Sequence, residues 1–252
     1  MKLEAVLQYL AGYLQVAGHP DYPGALNGLQ VEGREEVRHV VAAVDASEAA
    51  IREAIERGAD LLVVHHGLFW GGPHPLTGRL MRRVRPLIEA GVSLWSCHLP
   101  LDGHADVGNA ALLAKALGAA LEGRFAAHEG MAVGWHGRLD PALDPPALRA
   151  RAEEVLGGPV RLLEGGPAGI ERVGVVTGAG ASFVGEAADL RLDALVTGEA
   201  SHHTFFDAKE LGIHVLLGGH YATETFGVRA LAEHLAERFG LGWDFVDQPT
   251  GL

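Results

Sequence analysis

Hydrophobic and polar positions along the chain alternate between short apolar runs, typical of buried strands, and apolar residues spaced three or four apart, typical of helices. In the first half, this pattern predicts strand, helix, strand, helix, strand and helix at 37–45, 46–58, 60–65, 80–90, 92–97 and 108–117. Ser47 is the expected N-cap of the first of these helices, and Gly58 is its expected stop. The alternation indicates an α/β protein with mostly parallel sheets.

The pattern recurs in the second half, with elements predicted at 170–178, 181–191, 193–197, 205–211, 213–217 and 227–239. Asp60 and Asp193 open corresponding strands, an offset of 193 − 60 = 133. Later, His98 and His220 each precede a carboxylate by four residues. We interpret this as an internal duplication of two related three-layer α/β units; the alternative is that any two βαβ stretches look alike. The predicted units are 1–124 and 125–252, with 219–252 packing back towards the first.

Composition and charge narrow the class of protein. The chain has 252 residues, a net charge of −12 and 48% hydrophobic residues, which are values of a globular protein. The acidic balance argues against a broad nucleic-acid-binding surface, although it does not exclude a nucleic-acid partner. Cys97 is the only cysteine, no apolar run reaches the roughly 18 residues of a membrane helix, and the N-terminal residues lack a signal-peptide core. We therefore expect a cytoplasmic protein that does not bind membranes.

The first candidate site is the pair His65 and His66, at the end of an apolar strand in a chain with 14 histidines. Ligands of parallel α/β sheets lie outside the carboxyl ends of the strands. Successive strand residues point to opposite faces, so both histidines serve one site only if the strand has ended, and Gly67 permits such a turn. The alternative is that both are solvated loop residues.

Two further patches follow predicted strands. Asp102 comes after His98 and Pro100, and His220 and Glu224 share a face if a helix begins there. Together the patches offer five ligands: His65, His66, Asp102, His220 and Glu224. One zinc ion takes three or four ligands, so five suit two divalent ions about 3.5–4 Å apart. Zinc, manganese, iron and nickel all accept this mixture of ligands.

Other residues near these patches allow more than one interpretation of their role. Cys97 is either a nucleophile beside His98 or, as we expect, a small buried residue. His202 and His203 either act as acid–base groups or are solvated loop residues. The turn from Gly178 lacks a dinucleotide-binding fingerprint, because Phe183 stands where the pattern needs glycine.

The chain resembles the GTP cyclohydrolase I type 2 homologues, also called the NIF-three-like family. The similar stretches are VVHHGLFW at 63–70, CHLPLDGHADVGN at 97–109, TGEASHH at 197–203 and GGHYATE at 218–224. The resemblance implies the short form without an inserted domain, a di-metal site in the cleft between two α/β units, and a toroidal homohexamer. The five ligands named above match the family's metal-ligand positions.

Two functions fit these observations. The first is a metal-dependent hydrolase that acts on an anionic substrate, such as a phosphoester or nucleotide, through a metal-bridging hydroxide. In that case, His98, His202 and His203 are the candidates for catalytic proton transfer. The second is a metal-binding regulatory or scaffold protein whose ring presents surfaces to protein or nucleic-acid partners.

Overall fold

The computed structural model describes residues 1–72 and 74–252. In these residues the helices are α1 Leu3–Tyr13, α2 Glu48–Glu56, α3 Gly78–Ala90, α4 Leu99–Asp102, α5 Asn109–Ala116, α6 Pro145–Leu156, α7 Val184–Asp189, α8 Thr204–Leu211, α9 His220–Thr223 and α10 Thr225–Phe239. The strands are β1 Gly28–Val31, β2 His39–Asp45, β3 Leu61–His66, β4 Ser93–Ser96, β5 Ala119–His128, β6 Met131–Leu143, β7 Arg161–Leu163, β8 Ile170–Val175, β9 Ala194–Thr197, β10 His214–Leu217 and β11 Gly242–Phe245. A short 3-10 turn, Gly180–Phe183, precedes α7. The described part of the chain thus has the α/β architecture that the sequence predicts.

Contacts within the chain define two compact units. The first consists of residues 1–101 and 227–248, and the second of residues 102–226 and 249–252. The predicted division at 124/125 differs from this one over residues 102–124. Within that stretch, β5 pairs with β6 of the second sheet and α5 packs into the second unit's core. Within 219–252, β11 pairs with β2 of the first sheet.

The first unit contains a five-stranded sheet in the order β1-β4-β3-β2-β11. Three of its four pairings are parallel, and β1 is antiparallel to β4. Alternate residues such as Leu62 and Val64 face a core that also contains Ile51 of α2 and Leu87 of α3. The intervening residue Val63 is equally buried, so both faces of β3 are covered, as its unbroken apolar run predicts.

The second unit contains a six-stranded sheet in the order β5-β6-β8-β9-β10-β7. Only β8-β9 and β9-β10 are parallel, so the prediction of mostly parallel sheets is wrong for this unit, whose sheet is mixed. The antiparallel part arises because residues 119–143 form a long hairpin that pairs with the edge of β8. Helices α5 and α6 pack on one face of the sheet, while α7 contacts β9 and α8 contacts β10.

Matching local structure supports the interpretation of an internal duplication. In the first unit, Asp60 Oδ2 accepts hydrogen bonds from the backbone amides of Arg38 and His39, at 2.9 and 3.2 Å. In the second unit, Asp193 Oδ2 accepts hydrogen bonds from the backbone amides of Glu171 and Arg172, at 2.9 and 2.7 Å. These two residues lie 133 positions after Arg38 and His39, the same offset that separates Asp193 from Asp60. Each aspartate thus fixes the start of the preceding parallel strand, which explains why this residue type recurs at that position.

The predicted capping residues, Ser47 and Gly58, mark the two ends of the helix predicted at 46–58. Ser47 accepts a hydrogen bond from the amide of Ala50 at 3.0 Å, and Gly58 has φ +74° just after the helix.

In the described residues, no helix combines the length and apolar character that a membrane span requires.

Candidate metal centre

The two histidines that end β3 lie side by side in the first unit. Their ring centroids are 4.7 Å apart, with His65 fully buried and His66 partly exposed. The strand continues through His66, because that residue still pairs with Asp45 of β2. Gly67 does not adopt a positive φ; instead, its missing side chain leaves room for Gln30, whose Oε1 accepts from the amide of Leu68.

His98 joins this pair and completes a cluster of three histidines. Its ring centroid lies 4.9 Å from that of His65 and 5.6 Å from that of His66. One ring nitrogen of each histidine lies within 4.8 Å of those of the other two. The rings of Trp70 and Tyr22 lie 5.1 and 5.8 Å from His98, so aromatic side chains border the cluster. The cluster therefore offers three ring nitrogens as possible metal ligands, in surroundings that are partly shielded from solvent.

In the second unit, His220, Glu224 and Asp102 form a group of their own. His220 Nε2 lies 3.2 Å from Glu224 Oε2, as the predicted spacing of four residues allows. Although α9 ends at Thr223, this turn is enough to bring the two side chains together. Carboxylate oxygens of Asp102 and Glu224 lie within 4.8 Å of each other, and both side chains are buried. Asn109 Nδ2 and Thr177 Oγ1 donate to Asp102 Oδ1, at 2.9 and 3.2 Å.

The Nδ1 atoms of the four histidines share one arrangement. Each lies 2.7–2.9 Å from an oxygen of the same unit: His65 with Cys97 O, His66 with Asp45, His98 with Asp21 and His220 with Glu199. Carbonyl and carboxylate oxygens accept hydrogen bonds, so Nδ1 carries the proton and donates in each contact. In the neutral rings, Nε2 is therefore the nitrogen with the lone pair, which is the arrangement of histidines that ligate metals.

The His220–Glu224 contact changes the protonation of His220. The hydrogen bond to Glu224 is the largest cause that raises its pKa to about 9, against the opposing effect of burial; Glu199 adds to the rise. Without metal, this ring is therefore an imidazolium at neutral pH. Because the folded pKa lies above the ordinary value, the stabilisation is complete below about pH 6.5 and is lost as the pH rises through 9. A metal ion held by Nε2 would have to displace the proton on that nitrogen.

The other predicted site residues occupy different surroundings. His202 and His203 are exposed at the start of α8, where the His202 ring lies edge-on to Phe206 at 5.8 Å. His203 lines a cavity of about 300 Å³ that Glu199 and Ser182 also line. Cys97 is buried and forms no disulfide, and its backbone carbonyl accepts from His65.

Four carboxylate or amide side chains of the site were missed in the sequence: Asp21, Asn27, Asp45 and Asn109. Asp45 ends β2, the strand beside β3, so the rule that ligands gather at carboxyl ends of parallel strands applied to it as well. Asp21 and Asn27 lie in an irregular segment between α1 and β1, and no periodic pattern marks them.

Comparison with known proteins identifies the family. The model of the family Duf34/NIF3 (NGG1p interacting factor 3) matches residues 1–249. Proteins called GTP cyclohydrolase 1 type 2 homolog from Deinococcus radiodurans and Halobacterium salinarum are 42% and 45% identical. The first alignment covers 99% of this chain and 94% of the relative, and the second covers 95% of each.

Solved structures agree with the sequence comparison. Protein ybgI, described as of unknown function, has a TM-score of 0.93 and 38% identity. TTHA1606 from Thermus thermophilus has a TM-score of 0.89 and 42% identity. Each match covers 100% of both chains. These matches confirm the family resemblance, and the chain belongs to the Duf34/NIF3 family.

Proposed function

We propose that this chain binds two divalent metal ions through His65, His66, Asp102, His220 and Glu224. The observation that carries the proposal is the shared Nδ1 contact of these three histidines, which makes Nε2 the nitrogen with the lone pair in each neutral ring. Mixed nitrogen and oxygen donors fit zinc, manganese, iron or nickel. When bound, such ions supply Lewis acidity and lower the pKa of coordinated water.

The reaction we propose is hydrolysis of an anionic substrate, such as a phosphoester or nucleotide. Two divalent ions bring four positive charges, of which the carboxylates of Asp102 and Glu224 neutralise two. Counting the proposed ligands alone, two positive charges remain, which favours an anion that binds directly to the ions despite the chain's net charge of −12.

Helix α3 adds a local basic surface in the first unit. It carries four arginines: Arg79, Arg82, Arg83 and Arg85. Burial lowers the pKa of Arg83, and the charge of Arg79 lowers it further, whereas Glu48 and Asp45 act in the opposite direction. Arg83 is thus within electrostatic range of Asp45, which hydrogen-bonds to His66. A guanidinium in this position suits a phosphate group of the substrate.

The chain's own residues supply proton transfer and partial exclusion of water. His98 is the candidate that moves a proton, at Nε2, because Nδ1 is held by Asp21. Trp70 and Tyr22 shield its ring from solvent. His202 and His203 stay candidates for the same role in the second unit, where both side chains are exposed to solvent.

We expect His98→Ala and His202→Ala to retain metal and to lose about 100-fold or more of turnover, the usual effect of losing a general acid or base. The measurement is a screen of phosphoesters, nucleotides and GTP against protein loaded with manganese, zinc or iron, followed by kcat and metal content of each variant. His128→Ala, at the end of β5, is the control.

Three outcomes separate the possibilities. Wild-type rates in both variants would refute the assignment of proton transfer. Loss of metal from His98→Ala would make this residue a ligand, as its place in the histidine cluster allows. Absence of turnover by the fully metallated wild type would overturn the hydrolase proposal.

The alternative function is a metal-binding regulatory or scaffold protein that forms a homohexamer. The observation that favours it is the exposed apolar surface of α8, where Phe205, Phe206 and Leu211 are 41%, 50% and 48% exposed. We expect Phe206→Ser to lower the oligomeric state, measured by light scattering. A wild-type monomer in solution would contradict the ring, and an unchanged hexamer in the variant would separate α8 from its interfaces.

A further inference from the structure

Asp21 is a buried carboxylate in the irregular segment between α1 and β1, with 6% of its side chain exposed. Its two oxygens accept four hydrogen bonds. Oδ1 accepts from His98 Nδ1 and the amide of Tyr22, both at 2.7 Å. Oδ2 accepts from Asn27 Nδ2 at 2.8 Å and from the amide of Leu99 at 3.0 Å. Only a carboxylate accepts on both oxygens, because the nitrogen of an asparagine side chain would face two donors.

These bonds hold both the ring and the backbone of His98. Asp21 accepts a hydrogen bond from the His98 ring and another from the backbone amide of Leu99, the residue that follows His98. Asn27 Oδ1 accepts from the amide of His98 at 2.8 Å. The loop therefore fixes the position of the imidazole at the end of β4, while Trp70 lies edge-on to the ring.

The charge of Asp21 is retained at neutral pH. Burial raises the pKa of its carboxyl, but the hydrogen bond and charge of His98, with the bonds from Asn27 and Tyr22, outweigh burial and lower it below its ordinary value. A carboxylate so placed favours one neutral form of His98, with the proton on Nδ1.

We propose that Asp21 is a positioning residue: it holds His98 with Nδ1 protonated and Nε2 presented to the His65–His66 pair. As a step in hydrolysis, this inference rests on the proposed function. As a statement about the ring, it stands on the geometry of the first unit alone. The arrangement corresponds to the orienting carboxylate of other acid–base histidines, which sets the tautomer and does not itself take the proton.

The test is nitrogen NMR of the full-length, metal-free protein with ¹⁵N-labelled histidine, at a pH where the His98 ring is neutral. Couplings between the ring nitrogens and carbon-bound protons report the tautomer, and His98→Gln assigns the signals. We expect the Nδ1-protonated form in the wild type. We expect Asp21→Asn to shift His98 towards the other tautomer, and Asp21→Glu to restore part of the wild-type signal.

Asn27→Ala is the matched control, because it removes loop hydrogen bonds to His98 and Asp21 but leaves their mutual bond in place. A wild-type His98 protonated on Nε2 would overturn the proposal without any variant, so it stays testable even if Asp21→Asn fails to fold. An equal tautomer shift in Asn27→Ala would reduce Asp21 to a structural role.

Turnover separates the ring's orientation from the proposed reaction. With a substrate identified by the turnover screen, Asp21→Asn should lower kcat about 10- to 100-fold, with KM and metal content nearly unchanged. Unchanged kcat beside a shifted tautomer would overturn the positioning role. If the wild type has no turnover, the hydrolase proposal fails, while the NMR result still decides the role of Asp21 in orienting His98.

Discussion

Glu224→Gln is expected to lower bound divalent metal from about two ions per chain to about one or fewer, because it removes one of the two carboxylates proposed to hold the ions. The Glu224 side chain is buried, with 3% of the residue exposed, and the amide of glutamine is a much weaker ligand than a carboxylate. The change also replaces the charged acceptor of the hydrogen bond that does most to hold the pKa of His220 at about 9, so that pKa should fall. At neutral pH a smaller fraction of His220 would then be protonated, so protonation would compete less with metal binding at this ring.

Elemental analysis of protein purified without chelators measures this directly. Asp102→Asn should have a similar effect, whereas His128→Ala should keep the wild-type metal content. Far-ultraviolet circular dichroism confirms that each variant is folded. A wild-type stoichiometry that stays at one or below after metal loading would refute the dinuclear proposal, and full metal content in Glu224→Gln would remove Glu224 from the ligands.

The strands and helices with a locally complete signal could be predicted. For β3, an unbroken apolar run bounded by Asp60 and Gly67 is enough, and for α2, Ser47 and Gly58 mark the ends. Helix α1 was missed although Leu3, Val6 and Leu10 form its buried stripe, since Lys2 offers no capping side chain. The strands β7 and β11, of three and four residues, owe their existence to partners distant in sequence.

The same distinction applies to the site. His65 and His66 end one parallel strand and His220 follows another by three residues, where the fold class itself predicts ligands. Asp21 contacts His98 across 77 positions of sequence, and its segment has neither helical nor strand periodicity. The proposed ligand positions therefore follow from topology, whereas the carboxylates that hydrogen-bond to the histidines depend on loop packing that a single sequence does not reveal.

Gly178→Ala tests the proposed metal centre without removing any of its proposed ligands. Gly178 has φ +61°, and its amide donates to Thr223 Oγ1 at 3.0 Å. An added Cβ would overlap Glu224 Oε1 and would lie 3.1 Å from His220 Nε2. We expect metal content to fall and the free energy of unfolding to drop by about 1–3 kcal/mol, from left-handed backbone strain and the forced displacement of Glu224.

Gly185→Ala is the matched control for this change. Gly185 lies in α7 at an ordinary helical φ, and an added Cβ meets no atom within 4 Å. Alanine should therefore stabilise the protein by up to about 1 kcal/mol without changing its metal content. The two variants add the same methyl group, so their difference measures the left-handed backbone of Gly178 together with its close approach to His220 and Glu224. If Gly178→Ala retains full metal content and wild-type stability, Glu224 has room to move, and the close approach does not determine metal binding.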